Sequence, residues 1–311
     1  MSGKRERKLR KMRRWQLALP QWWPSWIGIG LLRLTTLLPL AWQRRIGRAL
    51  GRTLYAGSRE RRRITRINLR LCFPELDERE RARLAREHFA LLGASLFEMA
   101  YGWWGPARRL EALGAIHGRE HLDAALAHGK GVILLQGHFL TTDIAGQILG
   151  QKLRFTATYA RPKNAVVRAL TERLRGRFIA RQIHHAEVRA IVRALAANEI
   201  VWHGPDQGAK RGKGVSARFF GQPAHTNTAT AKLARISGAA VVPYHPIKRA
   251  DGRYELRIEP ALADFPGADI TAATQRVNDT IELHARQAPA QYLWCHRRFK
   301  PARKGDPGPY A

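Results

Sequence analysis

Apolar and polar positions change period several times along the chain. Between residues 15 and 45 the stretch WQLALPQWWPSWIGIGLLRLTTLLPLAWQRR has no clear period: residues 26–42 are almost wholly apolar, interrupted by Arg33 and Pro39. Trp22, Trp23, Trp26 and Trp42 bracket this run. From Tyr55 onward the spacing becomes helical, and YAGSRERRRITRINLRLCFPELDERERARLAREHFALLGASLFEMAYGWW reads as two helices. Asp77, after Pro74, opens the second as an N-cap with Glu80 three residues on, and Leu84, His88, Leu91 and Leu92 recur along one face. From about residue 130, short apolar runs alternate with helical ones. GVILLQG, RFTATYA, IVWHG and AAVVPYHPIK read as strands; TDIAGQILG, NAVVRALTERLRGRFI, RAIVRALAANE, TATAKLARISG and ITAATQRVNDTIELHARQ read as helices. Asp251–Gly252 lies between alternating runs in RADGRYELRIEPAL, a hairpin signal. The pattern predicts an α/β fold with a mixed, mostly parallel central sheet flanked by helices and at least one antiparallel addition.

The same pattern divides the chain. Residues 1–18 form a basic N-terminal arm, residues 19–45 a membrane anchor, and residues 46–311 one catalytic domain, since no repeat, low-complexity tract or long linker interrupts them. A spanning helix needs about 20 clean apolar residues, and this run is short and carries an arginine. Tryptophans at both ends and arginines on both flanks are what a headgroup region selects, so the anchor either spans the bilayer or lies in its interface. A buried core helix is the plain alternative.

Charge changes the picture more than composition does. The 55 Lys and Arg outnumber the 24 Asp and Glu, giving a formal charge of +31. Such a field favours polyanionic partners: nucleic acid, an anionic membrane surface or an acidic carrier protein. No helix-turn-helix, zinc finger or RNA-binding aromatic motif supports nucleic acid. Cys72 and Cys295 are too few for a disulfide framework and read as core residues of a protein in a reducing compartment.

The candidate chemistry lies in GVILLQGHFLTTDIAGQILG. His138 falls just past a buried strand, where open α/β sheets place their sites, and Asp143 follows five positions later in the first turn of a helix capped by Thr141 or Thr142. A sharp turn could bring the Asp143 carboxylate back to Nδ1 of His138 and free Nε2 to accept a proton. Asp143 also has a plain reading, as an acid favoured by the helix dipole. No G-x-S-x-G elbow and no phosphate-binding glycine loop is present, so a histidine base would serve direct transfer, a substrate hydroxyl attacking an ester or thioester. His184 and His185 read as surface, His203 and His245 as core or site-lining, and the spacings suggest neither a metal nor any other cofactor.

GHFLTTD resembles the H-x-x-x-x-D/E motif of the late acyltransferases of lipid A biosynthesis, the lauroyl/myristoyl transferase family. The likeness runs from WIGIGLL to the end of the chain through INLRLCFPEL, YARPKN, EIVWHGPDQ, ARISGAAVVPYHP and PAQYLWCHRRFK, and INLRLCFPEL and YLWCHRRFK are its most specific parts. It looks closest to the lauroyl branch. The resemblance implies a glycerolphosphate-acyltransferase-like fold and an inner-membrane enzyme of Gram-negative bacteria facing the cytoplasm. Such an enzyme takes an acyl chain from acyl carrier protein to a hydroxyl of an acyl chain on an anionic lipid A precursor, which in the lauroyl branch carries two 3-deoxy-manno-octulosonic acid sugars. It implies His138 as general base and Asp143 as the carboxylate that orients it. Arg175 in ERLRGRF would hold the oxyanion or an anionic group of the lipid, and Asp206 in GPDQG would stand beside the pair at a strand end. Arg161 in YARP is suited to a phosphate or sugar carboxylate held bidentately. The sequence departs from the family in placing Gly208 where many relatives carry a second acid, and in a more polar KGVSARFFG. Two other functions fit parts of the sequence: an acyltransferase using coenzyme A thioesters on another glycolipid or phospholipid, and a basic membrane-attached nucleic-acid-binding protein.

Overall fold

The structure is a computed structural model that describes residues 14–209, 213–303 and 305–311; residues 1–13 of the expected basic arm lie outside them. Seven strands form one sheet: β1 Gly114–His117, β2 Val132–Leu135, β3 Thr156–Tyr159, β4 Arg181–His184, β5 Ile200–His203, β8 Ala240–Lys248 and β9 Tyr254–Ile258. Their order is β1-β9-β8-β2-β5-β3-β4. The five strands from β8 to β4 run parallel, and β9 turns back against β8. β1 lies parallel to β9 at the edge. The expected mixed, mostly parallel sheet is therefore present, and its antiparallel addition is the hairpin read at Asp251–Gly252. Gly252 has φ +85, the left-handed value such a turn requires.

β2 shows why the sequence gives this sheet. All four of its residues are buried; Val132 and Leu134 enter one core while Ile133 and Leu135 enter the other. A strand covered on both faces needs a continuous apolar run, and GVILL supplies it. Helix Thr142–Lys152 covers one face through Ile144, Ile148 and Leu149, whereas Leu233, Val277 and Ile281 of helices Ala229–Ser237 and Ile270–Gln287 cover the other. Several elements were not read from the sequence, among them helix Arg119–Ala127. β1 and β4 are four-residue edge strands with little apolar pattern, and β6 Val215–Phe219, within KGVSARFFG, pairs with β7 Gln222–Thr226 as a separate two-stranded hairpin.

The N-terminal reading needs correction. Among the described residues no helix is long and apolar enough to cross a membrane. The stretch expected as one anchor is broken into helix Trp23–Thr35, a turn, and helix Leu40–Gly57. Pro39, at the N-cap of the second helix, cannot continue the first, whose 13 residues reach only about 20 Å, short of a hydrocarbon core of about 30 Å. Helix Leu40–Gly57 instead packs along the long helix Glu78–Trp104, where Gly51 lies directly against the Phe89 backbone. The buried Glu98 carboxylate ties the two together by accepting from Arg44 (2.6 Å). Glu78–Trp104 begins with the expected capping box, Asp77 and Glu80 each accepting the other's backbone N–H.

Candidate active site

Two neighbouring parallel strands bring the principal groups together. Leu135, the last residue of β2, is in register with His203, the last of β5. His138 stands three residues beyond the first and Asp206 three beyond the second, so equal extensions of adjacent strands place them side by side at the sheet's carboxyl edge. Asp206 accepts the backbone N–H of His138 at 2.9 Å with Oδ2 and meets its Nδ1 with Oδ1. The hydroxyl of Tyr292 donates to Oδ2 at 2.8 Å. Gly204 makes the approach possible: a β-carbon there would lie 2.8 Å from Cε1 of the imidazole, a separation real side chains do not adopt.

The turn carrying His138 is held at every backbone group that matters. The His138 carbonyl accepts from Leu293 N–H at 3.0 Å, and Leu140 N–H donates to Gln291 O at 2.8 Å. Buried Gln136 donates to the Thr142 hydroxyl (2.8 Å) and accepts from the Trp202 indole (2.6 Å). The C-terminal segment contributing Tyr292 is itself secured, because Asn68 donates to the carbonyls of Trp294 (2.6 Å) and His296 (2.8 Å). INLRLC and YLWCH, the two most specific stretches of the sequence, thus touch one another behind the site.

The expected His138–Asp143 pairing is not formed. Asp143 instead meets Arg175, whose Nε lies 3.1 Å and Nη2 2.5 Å from Oδ1. The reason is geometric: Asp143 sits in the first turn of helix Thr142–Lys152 and faces helix Ala165–Arg175, while Nδ1 of His138 turns toward the β5 loop. All three of His138, Asp143 and Arg175 nevertheless line one cavity of about 340 Å³. Its other walls are mainly apolar, including Phe155, Ala157, Phe178, Ile179 and Leu293. Arg161, next in the chain to the cavity-lining Ala160, pairs with Glu187 at 3.0 Å. Cys72 and Cys295 are unbonded and line no part of this cavity.

Exposure and electrostatics divide the roles. The His138 side chain is 26% exposed and that of Asp206 only 2%. Burial opposes protonation of His138, but the charge and hydrogen bond of Asp206 outweigh it, and Asp143 adds to them, so its pKa stands above the ordinary value. Burial alone would raise Asp206; His138 and the Tyr292 hydroxyl hold it far below the usual carboxylate range instead. The neighbouring His203, sealed in β5, is driven down to about 4 by burial and stays neutral. An open imidazole with Nδ1 fixed by a sealed carboxylate leaves Nε2 to exchange a proton with whatever enters the cavity, the arrangement of a general base. Tyr292 carried no role in the sequence reading, although its segment was among the stretches quoted for the resemblance.

The sequence profile described as bacterial lipid A biosynthesis acyltransferase matches residues 10–301. The lipid A biosynthesis lauroyltransferase of Escherichia coli K12 is 32% identical over 94% of this chain and 96% of its own length. The palmitoleoyltransferase of the same strain is 33% identical over 94% and 95%, and its myristoyltransferase 26% over 94% and 91%. With this agreement over nearly the whole chain, the protein belongs to the bacterial lipid A biosynthesis acyltransferase family and is an acyltransferase acting late in lipid A synthesis.

Proposed function

We propose that the protein moves a fatty acyl chain, lauroyl by its likeness to that branch, from acyl carrier protein to the hydroxyl of a 3-hydroxyacyl chain on a lipid A precursor bearing 3-deoxy-manno-octulosonic acid. The observation that carries this is the His138–Asp206 pair, whose imidazole lines an apolar cavity to which no cysteine contributes. The Nε2 of His138 takes the acceptor hydroxyl proton as the oxygen attacks the thioester carbon. The tetrahedral oxyanion collapses, the C–S bond breaks, and the imidazolium returns the proton to the departing thiolate. No acyl-enzyme forms. Asp206 fixes the tautomer and steadies the imidazolium without taking its proton. Asp143 steers Arg175 toward the cavity, where the guanidinium stabilises the oxyanion or an anionic group of the lipid. Arg161, next in the chain to the cavity-lining Ala160, is assigned to the anionic acceptor.

Delivery from the inner membrane fits the N-terminal surface. Trp23, Trp26, Ile27, Leu31, Leu34 and Leu37 are exposed on helix Trp23–Thr35 and the turn after it. This helix packs against Glu78–Trp104 and Ala165–Arg175, two helices that contribute cavity residues, with Asn164 donating to Ser25 at 2.8 Å. The helix lies in the bilayer interface on the cytoplasmic side and opens the cavity toward the lipid. The charge of +31 supports an acidic carrier and an anionic acceptor.

Transfer from lauroyl-carrier protein and from lauroyl-coenzyme A to the purified precursor tests this reading. The carrier donor should be used far better, and His138→Ala should reduce turnover by about three orders of magnitude or more while leaving folding and vesicle binding intact. Equal use of the two donors would favour a coenzyme A-dependent enzyme acting on another lipid, and substantial turnover by His138→Ala would remove it as the base.

A further inference from the structure

Helix Thr142–Lys152 contains two glycines, and only one has a reason in the protein itself. A β-carbon at Gly150 would lie 2.2 Å from the Phe178 carbonyl oxygen, so close packing demands glycine there. At Gly146 a β-carbon would meet nothing within 4 Å, and the backbone is not in the left-handed region. Glycine is the poorest helix former after proline, and an interior position that could hold alanine without contact gives up helix stability. What Gly146 keeps open is the cavity. It lies three residues after Asp143, on the same face of the helix, and both line the space that His138 opens into. Leu92, Phe155, Ala157, Phe178 and Ile179 furnish apolar wall around the same space.

We infer that Gly146 is a specificity-determining residue: the donated hydrocarbon chain lies across the bare helix surface at this position, and any side chain there shortens the chain the enzyme accepts. This rests on the acyl-transfer reading above. The ligand class is a linear acyl chain, because Leu92, Phe155, Ala157, Phe178 and Ile179 offer hydrocarbon contact in the cavity that Gly146 shares with His138.

The test compares the wild type with Gly146→Ala and Gly146→Leu, using carrier-protein donors from 8 to 14 carbons and, separately, binding of free octanoate and dodecanoate followed by calorimetry. Leucine should lower the ratio of kcat/KM for the 12-carbon over the 8-carbon donor by about 10- to 100-fold, and alanine should move it the same way by several-fold. Alanine should also raise the melting temperature by roughly 2 °C, since it removes the glycine penalty without a clash. Dodecanoate binding should weaken in the leucine variant while octanoate binding persists. An unchanged length profile in both variants would overturn the inference and leave acyl transfer standing. A loss uniform across donor lengths with a raised KM for the acceptor would place an acceptor chain there instead, also overturning it. A wild type that binds dodecanoate in this Gly146-dependent way yet transfers no acyl group would sustain the inference and sink the transfer reading.

Discussion

Tyr292 supplies one of three hydrogen bonds that converge on Asp206, the others coming from the backbone N–H and Nδ1 of His138. The phenol favours the ionised carboxylate and spreads its charge. Removing it leaves Asp206 more basic, so Asp206 pulls harder on the imidazole proton and His138 titrates higher. Tyr292→Phe should therefore shift the acid limb of the kcat/KM profile to higher pH. It should also lower the maximal value about tenfold, the equivalent of one hydrogen bond, and cost about 1 kcal/mol in stability. A profile unchanged in position, with only stability lost, would make Tyr292 a packing residue. Steady-state rates across pH and a denaturant melt decide between these.

At the scale of elements, the strands and helices with strong periods were legible in the sequence, as was the placement of His138 past the end of GVILL. Its partner was expected nearby only through the family resemblance, which set Asp206 beside the pair, while spacing alone pointed to Asp143. A carboxylate five positions along the chain is visible in a linear reading, whereas Asp206 becomes adjacent only through the register of β2 with β5, a long-range fact that local spacing does not encode. The spanning form of the anchor failed for a related reason: apolar composition announced an exposed apolar surface, but Pro39 and the amphipathic pattern after it divide that stretch into a short helix, a turn and a second helix. Leu31 and Leu34 are 60% and 61% exposed there. Replacing both with aspartate should weaken binding to anionic phospholipid vesicles about tenfold or more, with the melting temperature unchanged, because neither residue supports the core. Vesicle co-sedimentation checks this, and undiminished binding would move the membrane contact elsewhere.

Over the whole molecule, the sequence carries 55 basic residues, and the site's own chemistry needs very few of them. In the proposed reaction, most of that charge acts at a distance, on encounter with an acidic carrier and an anionic acceptor rather than on the transfer step. The rate constant kcat/KM with the carrier-protein donor should fall steeply as salt rises from 50 to about 300 mM, where the screening length drops below roughly 10 Å, while kcat changes little. A salt-insensitive kcat/KM would detach the charge from donor recognition.

The central claim is that the sealed carboxylate of Asp206, and not Asp143, prepares His138 as the base. The pH dependence of kcat/KM for Asp206→Asn and Asp143→Asn, measured beside the wild type, tests it most directly. Asp206 raises the His138 pKa against the downward pull of burial. Asp206→Asn should therefore move the acid limb to lower pH and cut the maximal rate by about three to four orders of magnitude. Asp143→Asn should move the limb only slightly in the same direction and lose far less rate. A larger shift and a larger loss in Asp143→Asn would contradict this account and return the orienting role to Asp143.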